Sequence, residues 1–254
     1  MTPATFKRSI RDRQVWCSSC MVAFSGSDPI GVLIGAKRPS GTLVHKIAVH
    51  PDHRRQGHGR HLLASLGSKL AILGPPRMIA EVPETLAPPC ALFSATGYVP
   101  EALVTDYVFP GLAGGGGGGH AGGFVIPVTI DDLAANGLLE EDHPQVCWER
   151  SVETLTARKD DIAGLAVASD ERIEAYVLYA ERGEGGAEIM SLRSFIEDGG
   201  ARLAQLLSHL RARGMELLHF PKVHPAEISD ELLETLGFRA AGGHLLYAAR
   251  ARSD

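Results

Sequence analysis

Glycine and arginine residues are concentrated in one short segment that follows a predicted strand. Residues 47–63 read IAVHPDHRRQGHGRHLL, in which Pro51 ends the strand and Arg54-x-x-Gly57-x-Gly59 opens a helix. Small residues at a helix start let a ligand approach the backbone N–H groups, and the helix dipole favours an anion there. Arginine side chains add donors suited to phosphate oxygens. The segment predicts a pyrophosphate site, although its spacing alone is weakly specific because it matches neither the P-loop nor the Rossmann fingerprint.

The elements around this segment alternate between strand and helix patterns. Residues 21–26, 30–38 and 42–50 are rich in β-branched residues and bounded by turns, which predicts three strands. Residues 58–74 carry apolar side chains at helical spacing, and residues 77–83 predict a further strand. The apolar positions of the helix are Leu62, Leu63, Leu66, Leu70 and Leu73. The pyrophosphate site is therefore predicted at a junction from strand to helix.

A glycine-rich segment divides the chain into two halves that repeat each other. Residues 111–123 read GLAGGGGGGHAGG, a composition that predicts a flexible linker. Gly97-Tyr98 in the first half corresponds to Gly237-Phe238 in the second, and a tyrosine follows each glycine by ten residues. Such a register predicts an internal duplication. The predicted organisation is an N-terminal domain at 1–110, the linker at 111–123 and a C-terminal domain at 124–254.

In this context the glycine and arginine segment resembles the GNAT superfamily of acetyl-CoA-dependent N-acyltransferases. The family motif, [RQ]-x-x-G-x-[GA] after a strand that ends in Val-x-Pro, is matched by Val49-His50-Pro51 and by Arg54-x-x-Gly57-x-Gly59. The family's later helix, which ends in Gly-Phe or Gly-Tyr, is matched at residues 91–98. The resemblance covers residues 21–109 and, more faintly, residues 124–250.

The resemblance implies an α/β (α+β) fold class, with tandem GNAT-like mixed sheets flanked by helices. It also implies acetyl-CoA as the cosubstrate and acetyl transfer to a primary amine, on a small molecule or a protein. The backbone of Ile47, Ala48 and Val49 would then hydrogen-bond pantetheine. The residues that would hold the pyrophosphate are Arg54, Arg55, Gln56, Gly57, His58, Gly59 and Arg60.

Acyl transfer from a thioester to an amine needs a base, a stabilised oxyanion and usually a proton for the departing thiolate. His45 lies on the motif strand an even number of residues before Val49, so both are predicted to face the same side. Imidazole suits base work at neutral pH, which makes His45 one candidate base. A structural or surface role for His45 is the alternative of equal weight. Glu81, on the strand after the helix, is the other candidate base and would act through a water.

The proton donor is less well defined. The family's usual donor is a tyrosine four residues before the Gly-Phe or Gly-Tyr glycine, and this position is Phe93. Phenylalanine has no proton to give, so either solvent protonates the thiolate or the domain is slow. Tyr98 and Tyr107 are further candidates, with Tyr98 more typical of core packing. A non-catalytic CoA-binding or protein-interaction module is therefore the alternative function.

The second half departs from the motif at the corresponding junction. Residues 196–201 read IEDGGA, so the small residues are kept while the arginine position is Ile196. Glu197 and Asp198 place negative charge where a pyrophosphate would lie, and this repulsion outweighs the attraction of a helix dipole. The second half is therefore predicted to be a degenerate copy that does not bind CoA.

Two clusters of potential metal ligands have simpler interpretations. Cys17-Ser-Ser-Cys20 has the spacing of a zinc half-site, but no second pair completes it. The histidines of residues 45–61 span a strand, a turn and a helix start without a carboxylate cluster, so no metal is expected. These histidines are His45, His50, His53, His58 and His61.

Composition narrows the class of partners. The chain has 254 residues, a net charge of −5 and 6% aromatic residues, which disfavours nucleic acid and anionic membranes as partners. No apolar run approaches the roughly 20 residues needed to cross a bilayer, and the four cysteines are too few for a disulfide framework. The sequence thus predicts a cytoplasmic acyltransferase, either a monomer or a homodimer.

Overall fold

The structure is a computed structural model that describes residues 2–110, 123–139, 147–183 and 185–251. Apart from Gly123, the predicted linker lies outside these described residues. Contacts divide the chain into two units, the first formed by Met1–Val104 with Gly243–Asp254 and the second by Thr105–Gly242. Within the described residues, no helix is long and apolar enough to cross a membrane.

The first unit is built from the predicted strands and helix of the first half. Its helices are α1 (Pro3–Asp12), α2 (His58–Leu73) and α3 (Ala87–Ser94), and its strands are β1 (Met21–Ser25), β2 (Asp28–Arg38), β3 (Gly41–Val49) and β4 (Arg77–Pro83). Strand β5 (Val99–Pro110) begins in this unit and ends in the second. The predicted strands and the predicted long helix are confirmed to within two residues at each end.

The second unit repeats this order of elements behind an additional strand and two short helices. Its strands are β6 (Phe124–Val128), β7 (Ala163–Ala168), β8 (Ile173–Arg182), β9 (Gly186–Ser194) and β10 (Leu217–Val223), and its helices are α4 (Ile130–Ala135), α5 (Val152–Ala157), α6 (Ala201–Ala212) and α7 (Asp230–Thr235). Strand β11 (Arg239–Arg250) begins here and ends in the first unit. Each unit contains antiparallel pairs and one parallel pair, β3 with β4 and β9 with β10, so the predicted mixed sheets are confirmed.

The last strand of each half completes the sheet of the other unit. Strand β11 pairs antiparallel with β4, from His244 opposite Pro83 to Arg250 opposite Arg77. Strand β5 pairs antiparallel with β10, from Leu217 opposite Pro110 to Val223 opposite Thr105. The sheet order is therefore β1-β2-β3-β4-β11 in the first unit and β5-β10-β9-β8-β7-β6 in the second. These units differ from the predicted division at residues 110 and 124 because the two halves exchange their last strands.

The long helix of the first unit packs on one face of its sheet. Four of its five predicted apolar positions, Leu62, Leu63, Leu66 and Leu70, are buried in a cluster with the β4 residues Met78, Ala80 and Val82. Leu73, in the last turn, is instead 67% exposed. Buried residues alternate along β4, which shows the face of the sheet that α2 covers. Strand β3 ends at Val49, and the chain reaches the start of α2 at His58 after a turn.

Candidate active site

Strands β3 and β4 separate toward their carboxyl ends. Their parallel pairing consists of Thr42 opposite Met78 and Leu43 opposite Ile79, both near the strand starts. On its other side β3 stays paired with β2 as far as Val49 opposite Gly31. The backbone of residues 47–49 thus has one edge in a ladder, while no strand of the described residues pairs with its other edge. We call this gap the β3–β4 opening. Apart from the Val49 carbonyl, which accepts a hydrogen bond from Arg54 Nε, this edge offers backbone groups to an extended ligand.

Strand β3 contains a β-bulge at the candidate base. Lys46 lies opposite Ile34 and Val44 lies opposite Gly35, so His45 is an additional residue in the pairing with β2. Val44 and Ile47 contact the same buried cluster although they are three residues apart, as expected if the alternation changes phase between them. The face of half-buried His45 cannot therefore be counted back from Val49. The bulge lies at the start of the β3–β4 opening, where it redirects this side chain.

The two glycines of the motif serve different purposes. Gly57 is the N-cap of α2 in the left-handed region, at φ 88, and a Cβ on it would meet nothing within 4 Å. A Cβ on Gly59 would lie 3.2 Å from Leu92, so this glycine allows α2 to pack closely on α3. The first backbone bond of α2 runs from the His61 N–H to the Gly57 carbonyl, and Gly57, as the N-cap, provides no side-chain cap. Its first N–H groups therefore have no partner within the helix, and the space beside Gly57 is open.

The polar side chains of the Arg54–Arg60 loop divide into two groups. Arg54 Nε donates to the Val49 carbonyl at 3.0 Å, and Gln56 Nε2 donates to the Asp52 carbonyl at 3.1 Å. These two bonds hold the turn between β3 and α2 in shape. Arg55, at φ 64, and Arg60 are both exposed.

Three of the predicted histidines come together at this junction. The His50 and His53 rings meet edge to face with centroids 5.9 Å apart, and the His53 and His58 rings do the same at 6.2 Å. Asp52 Oδ2 lies 3.8 Å from His50 Nδ1. Among the described residues, no group of three or more histidine, cysteine or acidic side chains has the geometry to hold a metal ion.

Glu81 and Phe93 lie on opposite sides of β4. The neighbours of Glu81 on the strand, Ala80 and Val82, face the α2 cluster, so half-buried Glu81 faces the other way, beside Leu246 of β11. Phe93 is only 3% exposed and packs in the α2 cluster against the rings of Tyr98 and Tyr247. Because phenylalanine has no proton to give, the first unit has no proton donor at this position of α3.

The strand exchange determines which tyrosine reaches α3. Tyr107 belongs to the second unit, where its hydroxyl donates to Asp230 Oδ1 at 2.6 Å. The Tyr247 ring stacks on Phe93 at 5.8 Å, and its hydroxyl donates to the Cys90 carbonyl at 3.5 Å. The Ser94 hydroxyl donates to the Tyr247 oxygen at 3.4 Å. Tyr247 was not among the residues predicted for the site. Its position ten residues after Gly237, which matches that of Tyr107 after Gly97, could have indicated it.

Tyr98 is confirmed as a core residue. Its hydroxyl donates to the Met78 sulfur at 3.6 Å within the buried cluster. Burial raises the pKa of Tyr98 because the phenolate would lose its hydration. Tyr98 is accordingly a poor proton donor.

The second unit has the same architecture with different chemistry. Ser191 lies opposite Leu178 and Ile189 opposite Tyr179, so Met190 is the bulged residue of β9 where β3 has His45. The parallel pairing of β9 with β10 ends at His219 opposite Glu188, and a cavity of about 460 Å³ lies beyond it. Met190 and Asp198 are among the residues that line this cavity. A separation of strands is thus present in both units.

The helix start of α6 is occupied by a carboxylate of the protein itself. Asp198 accepts hydrogen bonds from the Gly200 N–H at 3.0 Å and from the Arg202 N–H at 2.9 Å. The Arg202 side chain lies 3.6 Å from the same carboxylate and pairs with Glu174 at 2.9 Å. The donors that are open in α2 are therefore taken in α6.

Comparisons with known proteins agree with this architecture. A family model described as an acetyltransferase (GNAT) domain matches residues 16–100. A tandem GNAT protein from the clavulanic acid biosynthesis pathway has 19% identity and a TM-score of 0.61, over 92% of this chain and 83% of that one. A GCN5-related N-acetyltransferase from Sphaerobacter thermophilus has 16% identity and a TM-score of 0.62, over 92% and 81%. No curated protein matches the sequence. At these identities the likeness shows a shared fold, and the predicted tandem GNAT-like fold is confirmed.

Proposed function

We propose that the region matched by the acetyltransferase (GNAT) family model, residues 16–100, transfers an acetyl group from acetyl-CoA to a primary amine. The observation that supports the proposal best is the path from the β3–β4 opening to the uncapped start of α2. An extended thiol ester fits the unpaired backbone edge, and a diphosphate fits the open helix start beside Gly57. The acceptor is a small molecule or a protein amine.

The donor would be held by two kinds of contact. The backbone of Ile47, Ala48 and Val49, apart from the Val49 carbonyl that already accepts from Arg54, would bond the pantetheine amides along the β3–β4 opening. The N–H groups at the start of α2 would receive the pyrophosphate, with Arg55 and Arg60 supplying charge from the loop. Arg54 would shape the turn through its bond to Val49 rather than serve chiefly as a phosphate ligand.

The transfer needs a neutral amine and a protonated leaving group. His45, at the bulge, is the first candidate base, and Glu81, acting through a water, is the second. The amine nitrogen attacks the thioester carbonyl, the carbon–sulfur bond breaks, and the thiolate takes a proton. Phe93 cannot supply that proton. Tyr247 is as buried as Tyr98, but its hydroxyl contacts α3 at the Cys90 carbonyl and the Ser94 hydroxyl, so we assign the proton transfer to Tyr247 on this contact.

Replacing Tyr247 with phenylalanine is expected to lower kcat about tenfold, a modest loss because a thiolate leaves well and solvent can also protonate it. The affinity for CoA should be unchanged, since the ring still stacks on Phe93. Initial rates and calorimetry measure the two effects. Tyr98→Phe is the matched control, because it removes a buried hydroxyl from the same cluster. An unchanged kcat in Tyr247→Phe would return the proton transfer to solvent.

The direct test of the activity is the release of free thiol from acetyl-CoA in the presence of a panel of primary amines. Amine-dependent release supports acetyl transfer, and the amines that respond define the acceptor class. The second candidate function is a non-catalytic CoA-binding or protein-interaction module, which the buried Phe93 favours. Tight CoA binding without release of thiol for any amine would favour that alternative.

A further inference from the structure

The cavity of the second unit has no role in the transfer described above. Its volume of about 460 Å³ lies within the range of about 300–1,000 Å³ that is typical of small-molecule sites. Leu192 and Leu203, which line it, belong to the buried cluster against α6, whereas Leu155 and Met190, which also line it, belong to the cluster against α4 and α5. Successive residues of β8 alternate between these clusters, so the clusters lie on opposite faces of the sheet. The cavity therefore passes through the sheet where β9 and β10 separate.

The middle of the cavity is bordered by an edge of β9. This strand pairs with β8 as far as Ser194 opposite Ala175, whereas its pairing with β10 ends at Glu188 opposite His219. Beyond that point, no strand of the described residues pairs with the second edge of β9. Residues 190–194 line the cavity in succession, as expected of a strand edge rather than of one strand face. Because a strand edge carries both N–H and C=O groups, a ligand that displaces water from it must supply an acceptor and a donor.

The charged side chains of the cavity wall already have partners or are exposed to solvent. Arg150, which is 3% exposed, forms an ion pair with Glu227, and Asp198 accepts from the first N–H groups of α6. The Arg193 guanidinium lies over an aromatic ring at 5.5 Å, and Glu197 is exposed. An ionised ligand group inside the cavity would thus lose its hydration without gaining an unpaired counter-charge from the described residues. The wall disfavours phosphates, carboxylates and ammonium groups.

We propose that this cavity binds an uncharged secondary amide with an apolar group on each side. The amide would meet the β9 edge in the plane of the sheet, where its carbonyl accepts from a strand N–H and its N–H donates to a strand carbonyl. The two apolar groups would contact Leu203 on one face and Leu155 on the other. An acylated alkyl amine has this form, whereas the unmodified amine is an ammonium ion at neutral pH. The site belongs to the second unit and is independent of the proposed acetyl-CoA site.

The test is a titration of the full chain with N-hexylacetamide, followed by NMR of isotope-labelled methionine methyl groups. Of the 5 methionines in the chain, Met190 is the one that lines the cavity, and Met190→Leu identifies its signal. We expect the Met190 signal to shift in a saturable manner. A Met190 signal that stays unshifted throughout the titration would overturn the proposal and leave the proposed acetyl transfer intact.

Related ligands test the requirements for an amide and for the absence of charge. Hexyl acetate has the same length but lacks the donor, so it should bind about tenfold more weakly. N-ethylhexylamine has an ammonium group in place of the amide and should bind at least about a hundredfold more weakly. CoA should leave the Met190 signal unchanged, because Asp198 occupies the start of α6. Equal binding of the amide, the ester and the amine would contradict the proposal.

Pantetheine distinguishes an acylated amine from a chain derived from the donor. It is uncharged and contains amides, but it carries hydroxyl groups where N-hexylacetamide has an apolar end. We therefore expect pantetheine to shift the Met190 signal only at higher concentration than N-hexylacetamide. Tighter binding of pantetheine would overturn the proposal, since it would show that the second unit keeps a site for part of the donor.

Ile196→Trp tests whether the ligand occupies the cavity. Ile196 lines the cavity and is half-buried, so a larger ring there should weaken binding of N-hexylacetamide at least about tenfold. Ile72→Trp is the matched control, because Ile72 is 79% exposed at the end of α2, and it should bind as the wild type does. An unchanged methionine methyl spectrum of Met78 and Met215 without ligand shows that Ile196→Trp is folded. Wild-type affinity in folded Ile196→Trp would place the ligand outside the cavity.

Discussion

Replacing Gly57 with glutamate is expected to abolish CoA binding in calorimetry, while the same replacement at Gly199 leaves the affinity unchanged. Gly57 has a left-handed backbone at φ 88, and a residue with a Cβ costs about 1–2 kcal/mol there. The larger effect comes from the carboxylate, which would occupy the open space at the uncapped N–H groups of α2. A fixed negative charge at that point competes with the diphosphate for the same donors.

Gly199 offers a close match as a control. It also has a left-handed backbone, at φ 65, and a Cβ on it would also meet nothing within 4 Å. It stands before α6, whose first N–H groups already bond Asp198. The two substitutions thus introduce similar strain and the same charge, and they differ in the state of the helix start. Gly57→Ala separates strain from charge and should bind CoA within about tenfold of the wild type.

The same calorimetric titration also measures how many CoA molecules bind to each chain. One CoA should bind per chain, at the first unit. Two equivalent sites would contradict the role given to Asp198, since they would require a diphosphate to displace its hydrogen bonds. Wild-type affinity in Gly57→Glu would instead place the donor away from the Arg54–Arg60 loop.

Local patterns were sufficient to predict the elements that carry the site. The helical spacing of Leu62, Leu63, Leu66 and Leu70 predicted both α2 and the face that it buries. The glycine and arginine motif predicted a strand-to-helix junction, which the structure places between Val49 and His58. These features depend on the periodicity and backbone preferences of neighbouring residues, which a sequence displays directly.

Features that depend on pairing partners could not be predicted in the same way. The bulge at His45 inserts one residue into the pairing of β3 with β2. The pattern of residue types along β3 is compatible with a strand that has this bulge and with one that lacks it. The sequence does not indicate which of the two sheets β5 and β11 join, because each half ends in a strand of similar character. Asp198 was predicted to repel a phosphate. The structure shows in addition that its carboxylate accepts a hydrogen bond from the Gly200 N–H at the start of α6. The contacts between the histidine rings required three-dimensional proximity across a turn.

The exchange of strands has a direct consequence for the chemistry. Tyr107 and Tyr247 hold equivalent places in the repeat, and each contacts the helix of the unit formed mainly by the other half. In the second unit the hydrogen bond to Asp230 and burial raise the pKa of Tyr107, with burial as the larger cause. Tyr247 instead meets a backbone carbonyl and the Ser94 hydroxyl, neither of which is charged. The first unit therefore receives a tyrosine whose hydroxyl contacts α3, the helix in which Phe93 has no hydroxyl of its own.

His45→Gln is expected to lower kcat/KM by about 10²–10⁴-fold, the usual range for a general base. The bulge places His45 at the start of the β3–β4 opening, where the thioester would meet the amine. The base must be deprotonated to act, so the wild-type kcat/KM should rise with pH through an apparent pKa of the free enzyme. CoA affinity should change little, because the pantetheine contacts proposed for β3 come from the backbone.

The pH profile alone does not identify the base, because an acceptor amine that titrates in the same range produces the same rise. The decisive comparison is between His45→Gln and Glu81→Gln, assayed with one acceptor across the pH range. If His45 is the base, its variant loses both the rate and the inflection, while Glu81→Gln keeps the inflection. The reverse pattern transfers the role to Glu81 acting through a water. An equal loss of CoA affinity and rate in His45→Gln would mean that the histidine maintains the bulge, and with it the shape of the β3–β4 opening.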